Sequence, residues 1–226
     1  MAACHTFHEQ GNMRFIIVSD VHGRDRVIGM VNRLIAKEEA DGVMVLGDIT
    51  HFGPAEWAGE FLSKLNGTVY AVPGNCDPPG VNDEIKRNAI SLHKRKITIE
   101  GKTLVGMGGS NPTVFETPFE MREDEIEGYL RPLAEHDMIL VTHCPAFGYL
   151  DLLPTGKHAG STAIRKIVDE FQPTVAIAGH IHEARGLTEM RGTTFMNPGP
   201  AKDSYAGVLE IGERVSLRLL ERQSDG

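Results

Sequence analysis

The sequence predicts an α/β fold in which helices pack outside two apposed sheets. Short apolar runs alternate with segments of helical periodicity along most of the 226-residue chain, which is typical of strands joined by helices. Consecutive strand-like runs near residues 89–108, and again at the end of the chain, interrupt this alternation. Several strands are therefore expected to be parallel, with helices on the outer faces.

The first half of the chain predicts three strands and two helices. The strands are expected at residues 14–18, 42–46 and 68–72. Apolar residues at helical spacing lie between them, first Val27, Met30, Val31, Leu34 and Ile35, then Trp57, Phe61, Leu62 and Leu65. Pro54 suits the first turn of the second helix.

The second half begins with the short strands, which turn at residues 100–102. A helix is predicted near 122–135 and a strand at 138–141. Ser161 can cap a further helix, whose apolar face contains Ile164, Ile167, Val168 and Phe171. A strand at 174–178 follows, and at least two more strands close the chain.

The composition favours a cytoplasmic protein without stable nucleic-acid binding and without a membrane partner. The net charge is −8 and the pI is about 5.7, which does not suit a surface that neutralises phosphate backbones. The short basic cluster at residues 93–96 is interpreted as a solvated turn or strand edge. Three cysteines cannot form a closed set of disulfides, and a homo-oligomer is compatible with these observations.

Residues 1–12 are predicted to be a disordered N-terminal extension of one domain, residues 13–226. The extension has no apolar period, and removing it is expected to leave folding and activity unchanged. Cys4, His5 and His8 could chelate a metal, but terminal residues are usually mobile.

Coordinating side chains follow five of the predicted strands. They are Asp20 and His22, Asp48, Asn75, His143, and His180 with His182. The carboxyl ends of parallel strands meet at one edge of a sheet, so these side chains are expected to lie together. Their mixed oxygen and nitrogen ligands are numerous enough for two metals. The Asp-x-His and His-x-His spacings are expected to place both side chains on one side of an extended segment. Glycines at 23, 47, 74 and 179 permit tight turns beside them.

These five blocks resemble the motifs of the calcineurin-like metallophosphoesterases. The blocks are Asp20-Val21-His22, Gly47-Asp48, Gly74-Asn75-Cys76-Asp77, Thr142-His143 and Gly179-His180-Ile181-His182, in order over about residues 14–210. The resemblance implies a four-layer α-β-β-α sandwich of two mixed sheets flanked by helices. It also implies that Asp20, His22 and His182 hold one metal. Asn75, His143 and His180 would hold the other, and Asp48 would bridge both.

The resemblance implies binuclear phosphoester hydrolysis by a hydroxide that bridges the two metals. Asp48, Asn75 and His143 are predicted as the catalytic residues, and no side chain has to act as the nucleophile. The mixture of imidazole and carboxylate suits transition metals better than Ca or Mg. Two divalent ions are expected, Mn in the first place, with Fe, Zn, Co or Ni as alternatives.

Cys76 stands where most of that family has histidine. It has no evident activating base, so it is not expected to be a nucleophile, and in the family this position lies outside the metal shell. Branches with Gly-Asn-Cys-Asp look like phosphodiesterases. Cys76 therefore indicates a small phosphodiester substrate, which could be nucleotide-like, and Asn75, Cys76 and His158 are predicted to bind it.

Two loops, residues 108–115 and 147–161, are expected to shape the pocket. The helix that begins after Ser161 could bind an anion at its N-terminus, with Lys157 or His158 close by. Ser161 could equally be only a cap and His158 a solvated loop residue. Phe147 and Tyr149 could stack on a base or an aryl group, or pack within the loop.

Three other functions remain open at this stage. A phosphomonoesterase or protein phosphatase is disfavoured by Cys76, and a DNA nuclease by the acidic charge. A non-catalytic protein-interaction scaffold on the same fold has no need of seven ligands. Metal analysis with a phosphodiester assay separates the scaffold from the enzyme.

Overall fold

The computed structural model describes residues 12–223 and contains twelve strands and five α-helices in that range. The predicted N-terminal extension lies outside the described residues, apart from Asn12. In chain order the elements are β1 (Met13–Val18), α1 (Arg26–Lys37), β2 (Gly42–Leu46), α2 (Ala55–Ser63), β3 (Thr68–Val72), α3 (Gly80–Asn88), β4 (Ile90–Ser91), β5 (Arg95–Ile99), β6 (Lys102–Met107), α4 (Glu123–Leu130), β7 (Ile139–Thr142), α5 (Thr162–Phe171), β8 (Val175–Ile177), β9 (Gly186–Met190), β10 (Thr193–Asn197), β11 (Gly207–Ile211) and β12 (Val215–Leu219).

The strands form two mixed sheets of six strands each. The first has the order β12-β11-β1-β2-β3-β4 and the second β5-β6-β7-β8-β10-β9. In the first sheet β1 to β4 are parallel, and β11 pairs antiparallel with both β1 and β12. In the second sheet β6, β7, β8 and β10 are parallel, with antiparallel strands at both edges.

Successive side chains of the central strands enter different cores, because the strand period is two. Phe15 and Ile17 of β1 pack between the sheets against β7 and β8 residues such as Ile139 and Ile177. Ile16 of β1 instead faces a core formed with α1, α2 and α3, and a third core lies between the second sheet and α4 and α5. Three cores separate four layers, so the predicted α-β-β-α sandwich is confirmed.

Helices α1 and α5 form where the apolar spacing predicts them. The five apolar residues expected on one face of α1 are all buried. Ser161 caps α5, since its hydroxyl accepts a hydrogen bond from the N–H of Ile164. Both helices therefore cover a sheet with one apolar stripe.

The structure corrects several predicted boundaries. Helix α4 ends at Leu130, because Pro132 has no backbone N–H to continue the helical hydrogen bonds, so the predicted extent to 135 is wrong. Helix α3 was not predicted, because only Val81 and Ile85 of its nine residues are buried. Four strands follow β8, which agrees with the prediction of at least two. Within residues 12–223 no helix is both long and apolar enough to cross a membrane.

Candidate metal centre

The five polar blocks meet at the carboxyl ends of the parallel strands. The turn after β1 runs beside the turn after β2, with the N–H of Asp20 donating to Gly47 O (3.0 Å) and that of His22 to Asp48 O (2.9 Å). In the second sheet the N–H of Gly179 donates to His143 O (2.9 Å). Because Asp20 also contacts residues after β8, the turns of both sheets face one another here.

The backbone of these turns is not extended. Asp20, His22, Asp48 and His180 all have positive φ, between 48° and 66°, a region that non-glycine residues rarely adopt. The expectation that Asp-x-His and His-x-His lie on one side of an extended segment is therefore wrong. The direction of these side chains is set by left-handed backbone in a tight turn and not by the period of a strand. Residues with left-handed backbone are concentrated at functional sites.

Two glycines allow the turns after β2 and β3 to touch. A Cβ on Gly47 would lie 2.6 Å from Gly74 Cα, and a Cβ on Gly74 would lie 2.1 Å from the backbone nitrogen of Asp48. Gly47 also has a φ of 90°, which favours glycine. The contact brings Asp48 and Asn75 together.

The first group of side chains is Asp20, His22 and His182, whose ligand atoms lie within 4.8 Å of one another. Nε2 of His182 lies 3.3 Å from Asp20 Oδ1 and 3.3 Å from His22 Nε2. Burial lowers the pKa of His22 to about 4. Burial also opposes charge on His182, but the adjacent carboxylate of Asp20 prevails and raises the pKa of His182.

The second group is Asp20, Asp48 and His143, which are all buried. Nδ1 of His143 lies 2.7 Å from the carbonyl oxygen of Leu46, so Nδ1 carries the proton and donates to it. Nε2 of His143 is then the lone-pair atom, and it faces Asn75 Oδ1 at 2.8 Å and Asp48 Oδ1 at 3.4 Å.

Asp48 lies between His22 of the first group and His143 of the second. Its Oδ2 is 3.7 Å from Nε2 of His22, and its Oδ1 is 3.4 Å from Nε2 of His143. The backbone N–H of Cys76 donates to Oδ1 at 2.8 Å and holds the carboxylate in this orientation.

His180 joins the cluster through its backbone and its ring. Its N–H donates to Asp20 Oδ2 at 3.1 Å, and its ring centroid lies 5.0 Å from that of His143. Burial lowers the pKa of His180 to about 4, with a smaller contribution from His143. The structure thus brings all seven predicted ligand residues to one place.

The donor set suits divalent cations. Buried polar atoms normally have hydrogen-bond partners, yet Asp20 Oδ1 is buried without one among residues 12–223. The lone pair of His143 Nε2 points at two further oxygen acceptors, an arrangement that a positive charge stabilises. Neutral imidazole with carboxylate and amide oxygen is the chemistry of a transition-metal site.

A family model described as calcineurin-like phosphoesterase matches residues 13–184. The chain belongs to this family. An uncharacterised protein of Methanocaldococcus jannaschii is 36% identical over 197 residues, which cover 83% of this chain and 88% of the relative. The predicted family is therefore confirmed, and with it a metal-dependent phosphoesterase.

Solved structures share the fold at low sequence identity. A dimetal phosphatase from Danio rerio has a TM-score of 0.64 at 12% identity, covering 93% of this chain and 96% of that one. A novel archaeal phosphodiesterase has a TM-score of 0.53 at 19% identity, covering 92% and 100%.

Cys76 of this phosphoesterase is buried beside the cluster. Its Sγ lies 3.6 Å from Asn75 Nδ2. Burial raises the pKa of the thiol, and the carboxylate of Asp48 raises it further. A thiol held neutral is a poor nucleophile, which agrees with the prediction that Cys76 is not one.

Asp77, in the same block, has a role that the sequence did not reveal. It is fully buried and accepts hydrogen bonds from the N–H groups of Ile49, Thr50 and Gly74 and from the Thr50 hydroxyl, at 2.7–3.1 Å. These bonds tie the turn after β3 to the turn after β2. Asp77 therefore holds Asp48 and Asn75 in place.

The loop after β6 also reaches Asn75. Asn75 Nδ2 donates to Thr117 Oγ1 at 3.0 Å, and the Thr117 hydroxyl donates to Glu120 Oε1 at 2.6 Å. Glu120 also accepts from Thr113, so it clamps the loop. These contacts orient the amide of Asn75 with Oδ1 toward His143. The sequence contained no signal for this role of Thr117.

The predicted anion site at the N-terminus of α5 is wrong, because an anion of this chain occupies it. The carboxylate of Glu123 accepts hydrogen bonds from the N–H groups of Thr162 and Ala163, at 3.1 and 2.8 Å, and from the Ser161 hydroxyl at 2.6 Å. The alternative, in which Ser161 is a cap, is confirmed.

His158 and Tyr149 make their contacts away from the cluster. Nδ1 of His158 lies 2.6 Å from Asp151 Oδ1, and its ring contacts Phe147. Tyr149 is buried and stacks on Phe195 at 4.1 Å, so it belongs to the core. Phe147 is exposed. A substrate role for His158 stays a prediction.

His51 is a further residue at the cluster that the sequence analysis missed. It is exposed, and its Nδ1 lies 3.3 Å from Nδ1 of His22. The signal available was its position three residues after Asp48 in the turn that follows β2.

Proposed function

We propose that this metallophosphoesterase hydrolyses small phosphodiesters with two divalent cations. The observation that carries the binuclear part is the placement of Asp48, whose two carboxylate oxygens each face the Nε2 atom of a different histidine. A carboxylate placed in this way can serve two cations at once.

Asp20, His22 and His182 would hold one cation, and Asn75, His143 and His180 the other. Asp20 approaches both groups, and Asp48 turns one oxygen to the Nε2 atom of His22 and the other to that of His143. We propose Mn first, with Fe, Zn, Co or Ni as alternatives. When bound, the two cations supply the charge that lowers the pKa of water and neutralises the phosphoryl oxygens.

The residues of the chain keep this site in a single arrangement. The bond from His143 Nδ1 to Leu46 O leaves Nε2 free to coordinate, and such a partner usually fixes the orientation of a ligating imidazole. The amide nitrogen of Asn75 donates to Thr117, so Oδ1 is the atom left for a cation. We propose Asp48, Asn75 and His143 as the residues on which catalysis depends most.

Cys76 supports the choice of a diester. A phosphodiester carries one negative charge, whereas a monoester near neutral pH carries close to two. An imidazole beside the phosphate can become cationic and pair with the second charge, but a thiol can never be cationic. Asn75 and Cys76 therefore form a wall of the site that suits a monoanion.

A substrate comparison tests the proposal. The Mn-loaded enzyme is expected to hydrolyse bis(p-nitrophenyl) phosphate faster than p-nitrophenyl phosphate. Cys76→Ala is expected to keep most of the diesterase activity, and Cys76→His to gain on the monoester. A native enzyme that prefers the monoester, or an inactive Cys76→Ala that still folds and binds metal, would contradict the proposal.

The similar structures include members of both phosphoester classes. One is described as a phosphodiesterase and the other as a dimetal phosphatase, at 19% and 12% identity. Likeness at this level concerns the fold, so the assay above decides the substrate class. We further propose that residues 13–226 form one phosphoesterase domain.

A further inference from the structure

The imidazole of His51 lies on the exposed side of the candidate metal centre. The ring of His22 has the ring of His182 on one side and that of His51 on the other, each with centroids 5.3 Å away. A ring nitrogen of His51 is also within 4.8 Å of Cys76 Sγ. His51 is thus beside both the histidine cluster and the wall formed by Cys76.

Two further contacts hold His51 in place. The N–H of the next residue, Phe52, donates to the carbonyl oxygen of Cys76 at 3.0 Å. The rings of His51 and Phe52 lie 4.6 Å apart. The turn after β2 is therefore attached to the turn after β3 at this point, beside the exposed ring of His51.

The positions of the protons follow from these contacts. Nε2 of His22 faces His182 Nε2 and Asp48 Oδ2, so it is the lone-pair atom of a cation ligand. Nδ1 of His22 then carries the proton and donates to Nδ1 of His51, 3.3 Å away. Nε2 of a neutral His51 must therefore carry its proton, and it is a hydrogen-bond donor at the edge of the site.

We propose that His51 is a further catalytic residue, whose Nε2–H donates a hydrogen bond to the oxygen that leaves phosphorus. This inference rests on the proposed phosphoester hydrolysis. The oxygen of water bonds to phosphorus and its proton passes to solvent. The leaving oxygen keeps the electron pair of the broken P–O bond and later takes a proton from solvent. His51 stabilises the negative charge that develops on that oxygen, as preorganised donors do.

The test compares leaving groups across variants of the full-length, metal-loaded enzyme. The substrates are phenyl phosphodiesters whose leaving groups range from p-nitrophenolate to unsubstituted phenolate. His51→Ala removes the donor. His51→Gln keeps an amide N–H near the place of Nε2, whereas His51→Asn has its amide nearer the place of Nδ1. His136→Ala is the control, because His136 is an exposed histidine whose ring contacts Phe171.

The donor matters most when the leaving oxygen is most basic. His51→Ala is expected to lower kcat by less than about tenfold for p-nitrophenolate and by about 10²–10³-fold for phenolate. The dependence of log kcat on the leaving-group pKa becomes steeper. His51→Gln should restore part of the loss, His51→Asn should not, and His136→Ala should match the native enzyme. KM and metal content should stay unchanged.

Two results would overturn the role of His51. An equal loss for every leaving group would mean that His51 acts only through His22. A fall in bound metal would mean that His22, His51 and Cys76 hold a cation instead. If the native enzyme hydrolyses only monoesters, the proposed substrate class is wrong. The dependence of log kcat on leaving-group pKa, measured on substituted phenyl monophosphates, still decides the role of His51.

Discussion

Asp77 and Asp20 are both buried carboxylates in turns that follow a strand, yet their surroundings differ. Asp77 accepts four hydrogen bonds from two neighbouring turns. Asp20 accepts one from the N–H of His180, and within the described part of the chain its other oxygen has no hydrogen-bond partner. A saturated carboxylate stabilises the fold, whereas an unsaturated one among histidine lone pairs has a site left for a cation.

The largest expected effect on turnover and metal binding comes from Asp48, which lies between His22 and His143. Asp48→Ala and Asp48→Asn should abolish turnover and lower the metal content of both sites, because the two oxygens of Asp48 each face the Nε2 atom of a different histidine. Activity assays and elemental analysis measure this. Near-normal activity in either variant would show that the site is assigned wrongly.

Thermal unfolding with and without metal separates Asp20 from Asp77. Metal that binds only the folded state should raise the Tm of the native protein. Asp20→Asn should lose the part of that increase that comes from the cation held by Asp20, His22 and His182. Asp77→Asn should lower Tm with and without metal by about 4–8 °C, because an unsatisfied buried donor costs about 2 kcal/mol, and should keep the increase on adding metal.

The control for these two variants is Asp83→Asn. Asp83 is exposed and pairs with Lys86, and surface pairs contribute little, so its Tm should match that of the native protein. If Asp20→Asn keeps the metal increment, or Asp77→Asn loses it, the contrast between the two carboxylates is wrong.

Thr117 tests whether the loop after β6 orients a ligand. Thr117→Ala should weaken metal binding by about 10–100-fold, as expected for the partner of a ligating group. Thr117→Ser retains the hydroxyl and should restore the metal affinity. Competition with a chelator measures the affinity without reference to turnover. Equal metal affinities for the native protein and both variants would mean that Thr117 stabilises the loop and does not orient Asn75.

The contrast between residues that stabilise the fold and residues that bind a cation extends to His93, whose Nδ1 accepts a hydrogen bond from the N–H of Gly108 at 3.0 Å. Burial, helped by Lys94 and Lys86, lowers its pKa from 6.5 to about 4. Between these values only the unfolded state takes up a proton, so the free energy of unfolding falls as the pH falls. The loss from pH 7 to pH 5 is roughly 2 kcal/mol.

Urea unfolding of the native protein and His93→Asn at pH 7 and pH 5 measures this contribution. The native protein should be the more stable at pH 7, and the difference should shrink at pH 5, because asparagine does not titrate. A difference independent of pH would mean that His93 is not held neutral.

The strand ends could be predicted because an apolar run that stops at Asp, Asn or His is visible in one segment of sequence. Contacts between distant loops could not. Thr117 lies 42 residues from Asn75, and no periodic pattern links Glu123 to the N-terminus of α5. The turn conformation at Asp20 and His22 was also missed, because the Asp-x-His pattern alone does not distinguish an extended strand from a turn with left-handed backbone.

The position of β1 between β2 and β11 has a consequence for synthesis on the ribosome. Arg14 of β1 pairs with Glu210 of β11, 196 positions later. At about 5–20 residues per second, β1 precedes this neighbour by roughly 10–40 s. During that interval one edge of β1 is an open strand edge, the kind of surface that invites aggregation. His22 and His182 are 160 positions apart, so a nascent chain that stops between them carries both the open edge and half of the histidine cluster.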